Sequence, residues 1–316
     1  MQRLLTGLQP SGALHIGNYF GALKPFVDQS AEYDCMLMVA DYHALTTLKN
    51  RDELRANITN VVRDYLAVGI DPTRAIIFQQ SQVQEHTELG WIFQTLVTVP
   101  FLMQAHSYKD KVAKGLEANA GLFAYPMLMA ADILLYDTDV VPVGEDQRQH
   151  LEYAREAAAK FNNAYGKTFK EPKELIQKEV AIVPGVDGKK MSKSYGNTIP
   201  LFGTKDEISK AVMSIVTDSG SERPENVYAI HRLLKTEAEL APLYEAQKGK
   251  YKALKDALVE DLEALIAPMR IKHDAITDED VRKVLDEGSA KARERASSKM
   301  RIVRTKIGVA LQDHKL

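Results

Sequence analysis

The 316-residue chain has a single cysteine, Cys35, and no long run of apolar residues. One cysteine excludes an internal disulfide and any cysteine-built metal or iron–sulfur cluster. No segment reaches the roughly 18–20 apolar residues that a membrane helix needs, and the N-terminus lacks the apolar stretch and cleavage site of a secretory signal. We therefore expect a cytoplasmic protein without a membrane segment.

The chain also lacks an excess of charge of either sign, because its formal net charge is −2. This balance argues against a globally basic nucleic-acid-binding protein. Positive charge is nevertheless concentrated near the C-terminus. A basic helix there could contact phosphates, or it could present a solvated face, and the sequence leaves both interpretations open. Residues 289–308 hold one acid, Glu294, and seven basic side chains: Lys291, Arg293, Arg295, Lys299, Arg301, Arg304 and Lys306.

Short β-rich runs alternate with helical patterns through the first two-thirds of the chain. This alternation predicts an α/β fold with a Rossmann-like parallel sheet and helices on both faces. Ligands of such sheets bind beyond the carboxyl ends of the strands. The β-rich runs lie at 3–6, 35–39, 75–78, 140–143 and 180–183, and the helical patterns at 19–30, 51–68, 85–96 and 147–161.

From about residue 203 onwards, only helical patterns remain. The segment 196–204 separates the two kinds of pattern. We therefore predict a Rossmann-like catalytic domain over residues 1–200 and a C-terminal all-helical domain over residues 201–316. The predicted helices cover 205–217, 224–234, 237–250, 252–267 and 278–306.

The segment QPSGALHIGN, residues 9–18, follows the first predicted strand and opens the first predicted helix. Pro10 and Gly12 favour a tight turn, and Gly17 lets a flat ring or a phosphate approach the backbone. A helix start offers free N–H groups to an anion, and His15 and Asn18 can both donate to phosphate oxygens. Taken alone, the segment is also typical of an ordinary strand–helix turn.

A second segment, KKMSKSYG at residues 189–196, is rich in lysine and is flanked by Gly185 and Gly188. Lys190 and Lys193 could close on a triphosphate and stabilise the charge that develops on leaving pyrophosphate. By itself, the segment is also compatible with a solvated lysine loop.

The pair is more specific than either segment. A HIGN turn followed about 175 residues later by KMSKS resembles the class I aminoacyl-tRNA synthetases. The segments GLQPSG at 7–12, YPMLMAADILLY at 125–136 and VPVGEDQ at 141–147 are similar to the bacterial tryptophanyl-tRNA synthetases, and this likeness spans essentially the whole chain. It implies that L-tryptophan is activated with ATP to tryptophanyl-adenylate and pyrophosphate, and is then transferred to tRNA(Trp). It also implies a homodimer, with tRNA spanning both subunits.

The resemblance implies a tryptophan pocket in which Asp132 accepts the indole N–H. A buried acceptor left unpaired by phenylalanine would reject that analogue by roughly 10⁴–10⁵. Tyr125 and Gln147 match residues that bind the α-ammonium group. Leu5 stands where an aromatic residue is frequent in the family, and His43 could equally be a structural histidine. The implied pocket walls are Leu5, Gly7, His43, Met129, Val141 and Val143.

For ATP, the resemblance implies contacts from both motifs and from the segments between them. Lys111 would join Lys190 and Lys193 at the phosphates, and the backbone at 182–183 would meet adenine. Magnesium would arrive with ATP, because no dedicated ligand set is evident. The implied ATP-binding residues are Gln9, Pro10, Ser11, His15, Gly17, Asn18, Gly144, Glu145, Asp146, Ile182, Val183, Lys190, Met191, Ser192, Lys193 and Ser194.

Three alternatives remain open. A tyrosyl-tRNA synthetase shares the architecture, but it usually has Gly-Ser-Asp-Gln or a similar run where this chain has GEDQ at 144–147. A non-catalytic, synthetase-like regulatory protein would be expected to lose the phosphate-binding lysines. The segment 189–199 also resembles a second bacterial form of the enzyme, so an auxiliary or resistance paralogue is possible. The residues that read the anticodon are not defined, and the basic C-terminal helices are the candidates.

Overall fold

The computed structural model describes residues 1–115, 117–143, 148–176, 183–217 and 223–311. Its centre is one sheet of five parallel strands in the order β3-β2-β1-β4-β5. The order reverses beside β1, so a crevice is expected where β1 and β4 diverge at their carboxyl ends. The strands are β1 Gln2–Leu8, β2 Tyr33–Val39, β3 Ala75–Gln79, β4 Val140–Val143 and β5 Lys173–Ile176.

The predicted α/β fold with a parallel sheet is confirmed. The first four strands lie where the β-rich runs predict them. The fifth strand, Lys173–Ile176, comes earlier in the chain than the run at 180–183, of which only Val183 lies among the described residues. Lys173 and Glu174 break the apolar pattern that marks a buried strand, which explains why this edge strand was missed.

Helices account for most of the remaining described residues. Among them, no helix is both long and apolar enough to cross a bilayer. The helices are α1 Ile16–Asn18, α2 Lys24–Gln29, α3 Asp41–Ala44, α4 Arg51–Ala67, α5 Glu85–Gln94, α6 Val99–Leu102, α7 His106–Ala113, α8 Ala120–Leu134, α9 Arg148–Tyr165, α10 Lys205–Met213, α11 Glu225–His231, α12 Glu237–Ala246, α13 Tyr251–Ala275 and α14 Asp278–Lys306.

Alternation along the strands divides the core between the two faces of the sheet. Leu4 and Leu37 pack in one apolar cluster with residues of α2, α4 and α13. Leu5 and Met36 point the other way and pack with residues of α5, α8, α9 and α14. Successive side chains of a strand point to opposite faces, so neighbouring residues of β1 stabilise different layers of helices.

The last helix, α14, returns to the sheet at the start of the chain. Gly288 lies directly on β3, where an added Cβ atom would come within 1.8 Å of the Ile77 carbonyl oxygen. Ala292, Ala296 and Met300 follow on the same buried face. The division of the chain at residue 200 stays a prediction, and any division must account for a C-terminal helix that shares its core with the sheet.

Four of the seven basic side chains between residues 291 and 306 of α14 attach that helix to the rest of the fold. Each of these four contacts an earlier segment of the chain, so it already has a partner within the fold. Lys291, Arg301 and Lys306 remain exposed. The four contacts join Arg293 to the Gln82 carbonyl, Arg295 to Asp34, Lys299 to Asp137 and Arg304 to Glu88.

Candidate active site

Helix α8 presents Tyr125, Met129 and Asp132 along one side, because these residues are four and three positions apart. Asn119 caps the helix by accepting a hydrogen bond from the Leu122 N–H. Asp132 is only 2% exposed. An ionised carboxylate at this depth needs partners, since an uncompensated buried charge is strongly destabilising.

Three side chains surround the Asp132 carboxylate. The His43 Nε2–H donates to Oδ2 at 2.8 Å, and the Gln80 amide donates to both oxygens at 2.9 and 3.0 Å. The His86 Nδ1 atom lies 2.6 Å from Oδ1, at an angle that does not meet hydrogen-bond geometry. The Asp132 carboxylate is therefore paired by side chains of the protein itself.

These partners keep Asp132 ionised. Burial by itself would raise the pKa of Asp132, but the electrostatic interaction with His86 and the hydrogen bond from His43 outweigh it and lower the pKa to about 2. At neutral pH the carboxylate can only accept hydrogen bonds. The site therefore offers a fixed acceptor to a buried N–H donor.

Two of these partners, Gln80 and His86, were missed by reasoning from the sequence. Gln80 follows β3 as His43 follows β2, so its place at the carboxyl edge of the sheet was a usable signal. The Gln80 side-chain oxygen, Oε1, accepts from the Tyr42 N–H. His86 is fully buried, and its Nε2 lies 2.8 Å from the Tyr136 hydroxyl. Nothing local in the sequence indicates that contact.

Among the other predicted tryptophan-binding residues, Tyr125 is linked to Asp132 through His43, and the rest are located by their strands and by the apolar core. Rings of His43 and Tyr125 meet edge to face with centroids 6.2 Å apart, and the Tyr125 hydroxyl lies 2.9 Å from His150 Nε2. Gly7 pairs with Met38 in the sheet. Leu5, Met129 and Val141 belong to one apolar cluster, Val143 ends β4, and Gln147 lies outside the described residues.

The first motif forms a reciprocal cap at the start of α1. The His15 N–H donates to Asn18 Oδ1 at 3.1 Å, and the Asn18 N–H donates to His15 Nδ1 at 3.3 Å. This arrangement leaves the His15 Nε2–H and the Asn18 amide N–H groups as donors. Burial and the nearby Lys193 charge lower the pKa of His15 to about 4, so this donor is a neutral imidazole.

The two motifs meet in space. The Lys193 Nζ atom donates to the backbone carbonyls of Ser11 and Gly12 at 3.0 and 2.8 Å. An added Cβ atom at Gly17 would lie 2.8 Å from His15 Nδ1 and 3.3 Å from Met191 Cβ. Glycine is therefore required where the turn and the lysine loop approach each other.

A buried asparagine that the sequence did not single out holds the lysine loop in place. Asn197 is 2% exposed, accepts a hydrogen bond from the Ser192 N–H and donates to the Asp187 carboxylate and the Lys190 carbonyl. An added Cβ atom at Gly185 would come within 2.3 Å of the Asn197 amide. The loop therefore closes around one polar side chain.

The remaining predicted ATP contacts are only partly defined. Lys190 and Ser194 are exposed in the lysine loop, while Lys111 lies on α7. The Val183 carbonyl accepts from the Met191 N–H at 2.9 Å, and its predicted contact with adenine stays a prediction. Four predicted contacts lie outside the described residues: Gly144, Glu145, Asp146 and Ile182.

A parallel sheet, a capped turn after β1 and a lysine loop closed upon that turn define a class of ATP-dependent synthetases. The family model described as tRNA synthetases class I (W and Y) matches residues 1–285.

Within this class, the tryptophan–tRNA ligase of Fusobacterium nucleatum is 48% identical to the chain, and the alignment covers 98% of each protein. The enzyme of the same name from Campylobacter jejuni is 44% identical over 97% of the chain and 100% of its own length. The chain belongs to the tryptophan–tRNA ligase family.

Solved structures agree with this placement. The tryptophanyl-tRNA synthetase of Campylobacter jejuni, complexed with ADP and tryptophan, superposes with a TM-score of 0.92 at 43% identity, covering 97% of this chain and 100% of that one. The Mycoplasma pneumoniae enzyme gives a TM-score of 0.88 at 30% identity over the full length of both chains. A tyrosyl-tRNA synthetase from Archaeoglobus fulgidus, with a TM-score of 0.64 at 20% identity, shares the fold alone.

Proposed function

We propose that the site at the carboxyl edge of the sheet activates L-tryptophan with ATP and passes the aminoacyl group to tRNA(Trp). The observation that carries this proposal is the buried, ionised Asp132, whose partners His43 and Gln80 follow the carboxyl ends of β2 and β3. The tryptophan carboxylate would attack the α-phosphorus of ATP and release pyrophosphate, and a ribose hydroxyl of tRNA would then take the acyl group. No protein nucleophile is needed, because orientation and charge stabilisation carry such reactions.

In this proposal Asp132 accepts the indole N–H, and Tyr125 and Gln147 bind the α-ammonium group. The Asp132 oxygens already accept from His43 and Gln80. The indole would therefore join or replace a resident donor, and His43, whose ring borders Tyr125, is the one in position to yield. The selectivity against phenylalanine would then depend on how well His43 and Gln80 re-form their hydrogen bonds to Asp132 when no indole N–H is present. It would not depend on an unpaired carboxylate alone.

The ATP half of the site would use neutral and charged donors together. The His15 Nε2–H and the Asn18 amide are directed to phosphate oxygens without adding charge, while Lys190, Lys193 and Lys111 supply it. Lys193 is already held beside Ser11 and Gly12 by two carbonyls. Ammonium groups preorganised in this way stabilise the negative charge that builds up on pyrophosphate. Mg²⁺ would enter as the ATP complex.

The assembly we propose is a homodimer in the cytoplasm, with residues 1–200 as the catalytic part and residues 201–316 as the part that recognises tRNA. An apolar surface supports the dimer. Trp91 on α5, Val99 at the start of α6 and Met103 just after α6 are 67%, 60% and 48% exposed. Exposed large apolar side chains that form one patch commonly mark contacts between proteins. Light scattering should therefore give a molar mass twice that of one chain, and Trp91→Asp should lower the measured molar mass towards that of one chain.

Amino-acid-dependent exchange of pyrophosphate into ATP tests the central reaction. The purified protein is expected to support exchange with tryptophan and to give only background with tyrosine or phenylalanine. Equal rates with tryptophan and tyrosine would contradict the assignment of the pocket. Asp132→Asn serves as the matched control, because it changes the indole acceptor and leaves the lysine loop intact.

A further inference from the structure

A second cleft, of about 590 Å³, opens at the carboxyl ends of β2 and β3. None of the residues predicted to bind ATP or tryptophan lines it. Its floor is apolar and its rim is positively charged. We call it the basic cleft and define it by the floor residues Leu48, Leu54, Ile58 and Leu285 and the rim residues Lys49, Arg51, Arg55 and Arg282.

The rim charges of the basic cleft differ from those of α14. All four side chains are exposed, and none forms an ion pair with a described residue of the chain. Lys49 alone has a hydrogen bond, from Nζ to the Leu45 carbonyl. Four of the seven basic side chains on the second half of α14, by contrast, are bound to the rest of the fold. Four exposed cations without an ion pair to a described residue therefore lie together at the basic cleft.

One acidic residue, Asp41, lines the basic cleft, but its carboxylate is already occupied. Oδ1 accepts from the N–H groups of Tyr42 and Ser81 at 3.1 and 3.0 Å, and Oδ2 accepts from the Gln79 amide at 2.7 Å. Asp52 and Glu53, in the first turn of α4, are exposed and do not line it. The lining therefore carries a net positive charge.

The basic cleft and the tryptophan pocket share a wall. In α3, Asp41 lines the cleft while His43, two residues later, donates to Asp132. After β3, Gln79 lines the cleft while Gln80 binds Asp132. A molecule in the basic cleft would thus be separated from the proposed site of adenylate formation only by α3 and the segment after β3.

We propose that the basic cleft binds the phosphodiester backbone of the single-stranded acceptor end of tRNA, an inference that rests on the proposed function. Four cations on two helices and a loop suit a chain of phosphates better than a single anion, and phosphate contacts dominate binding to nucleic acids. The apolar floor offers a surface for a ribose or base, and the volume is within the range of small-ligand sites. The location leads that end towards the adenylate.

The test uses two cleft variants, the double variant Arg51→Gln/Arg55→Gln and the single variant Arg282→Gln. The matched control is Lys283→Gln, because Lys283 is an exposed neighbour that does not line the cleft. We expect the KM for tRNA in aminoacylation to rise roughly tenfold in the cleft variants. The slope of log K for tRNA binding against the logarithm of salt concentration should become shallower by about 0.7 for each lost cation. Tryptophan-dependent pyrophosphate exchange should stay at the wild-type rate. A tRNA KM equal to that of Lys283→Gln would overturn the proposal.

Competition defines which part of the RNA is bound. An acceptor minihelix that ends in the single-stranded 3′ extension should compete better against wild type than the same minihelix with a blunt end, and the cleft variants should lose that difference. Equal competition by both RNAs against wild type, or by an acidic peptide as strong as the extended minihelix, would contradict the proposal. Absence of exchange with tryptophan in wild type would instead contradict the proposed function.

Discussion

The two halves of the active site are organised differently. On the proposed tryptophan side, Asp132 is buried and paired with His43 and Gln80. On the proposed phosphate side, the Lys193 Nζ atom donates to two backbone carbonyls, and Lys190 is exposed. A buried network with satisfied partners is rigid and specific, whereas surface lysines exchange partners easily. In the proposed function, selection of the amino acid would therefore depend on a buried network, and stabilisation of the phosphates would depend on lysines at the surface.

The largest effect is expected when the buried charge is removed. Asp132→Asn replaces an acceptor with a group that also carries N–H donors, facing His43 and Gln80. We expect kcat/KM for tryptophan in pyrophosphate exchange to fall by roughly 10³-fold, because the indole loses its charged partner and the donors lose theirs. The KM for ATP should change by less than about threefold. A comparable increase in both KM values would mean that the two halves are not separate.

The phosphate side should respond in the opposite way. Lys193→Gln is expected to lower kcat for exchange by roughly 10²-fold, because one preorganised charge is lost from the transition state. The KM for tryptophan should stay within about twofold. Lys189→Gln is the matched control, since Lys189 is an exposed neighbour in the same loop. Similar kinetics for the two lysine variants would contradict the role of Lys193.

A smaller effect is expected when the loop is loosened without loss of charge. Asn197→Ala leaves the Ser192 N–H and the Lys190 carbonyl without their partner. We expect kcat to fall by roughly tenfold and the free energy of unfolding to fall by about 2 kcal/mol. Urea titrations and exchange kinetics on the same preparations measure both. A loss of stability with unchanged kcat would show that the closed loop does not depend on this side chain.

The smallest expected effect is a dependence of stability on pH. The pKa of Asp132 is lowered to about 2 in the folded chain, from a usual 3.8. Its ionised form therefore favours folding, and this contribution is present above about pH 4 and is lost as the pH falls towards about 2. The difference in unfolding free energy between wild type and Asp132→Asn should shrink across that interval. A constant difference would contradict the lowered pKa.

The sequence was informative where function depends on local patterns. The strands up to residue 143 and the long helix at 278–306 followed from periodicity and capping. The HIGN and KMSKS segments were also recognisable from local spacing, although Gly17 makes room for His15 and Met191, and its predicted approach to a ring or phosphate stays a prediction. Such features depend on neighbours a few residues apart, and a single sequence records those directly.

The contacts that complete the site were not predictable, because their partners are far apart in the chain. Gln80 and His86 reach Asp132 across about fifty residues. The basic residues of α14 illustrate the same limit, since Arg295 meets Asp34 across 261 positions. Charge density suggested a nucleic-acid surface there, whereas tertiary packing had already paired much of that charge. Only the fold distinguishes a paired arginine from a free one.

Tryptophan binding in the absence of ATP tests the separation of the two halves most directly. Isothermal titration calorimetry would compare wild type, Lys193→Gln and Asp132→Asn under one set of conditions. We predict that Lys193→Gln binds tryptophan within about twofold of wild type and that Asp132→Asn loses more than roughly tenfold in affinity. Equal weakening in both variants, or unchanged affinity in Asp132→Asn, would contradict a preformed tryptophan site built on Asp132.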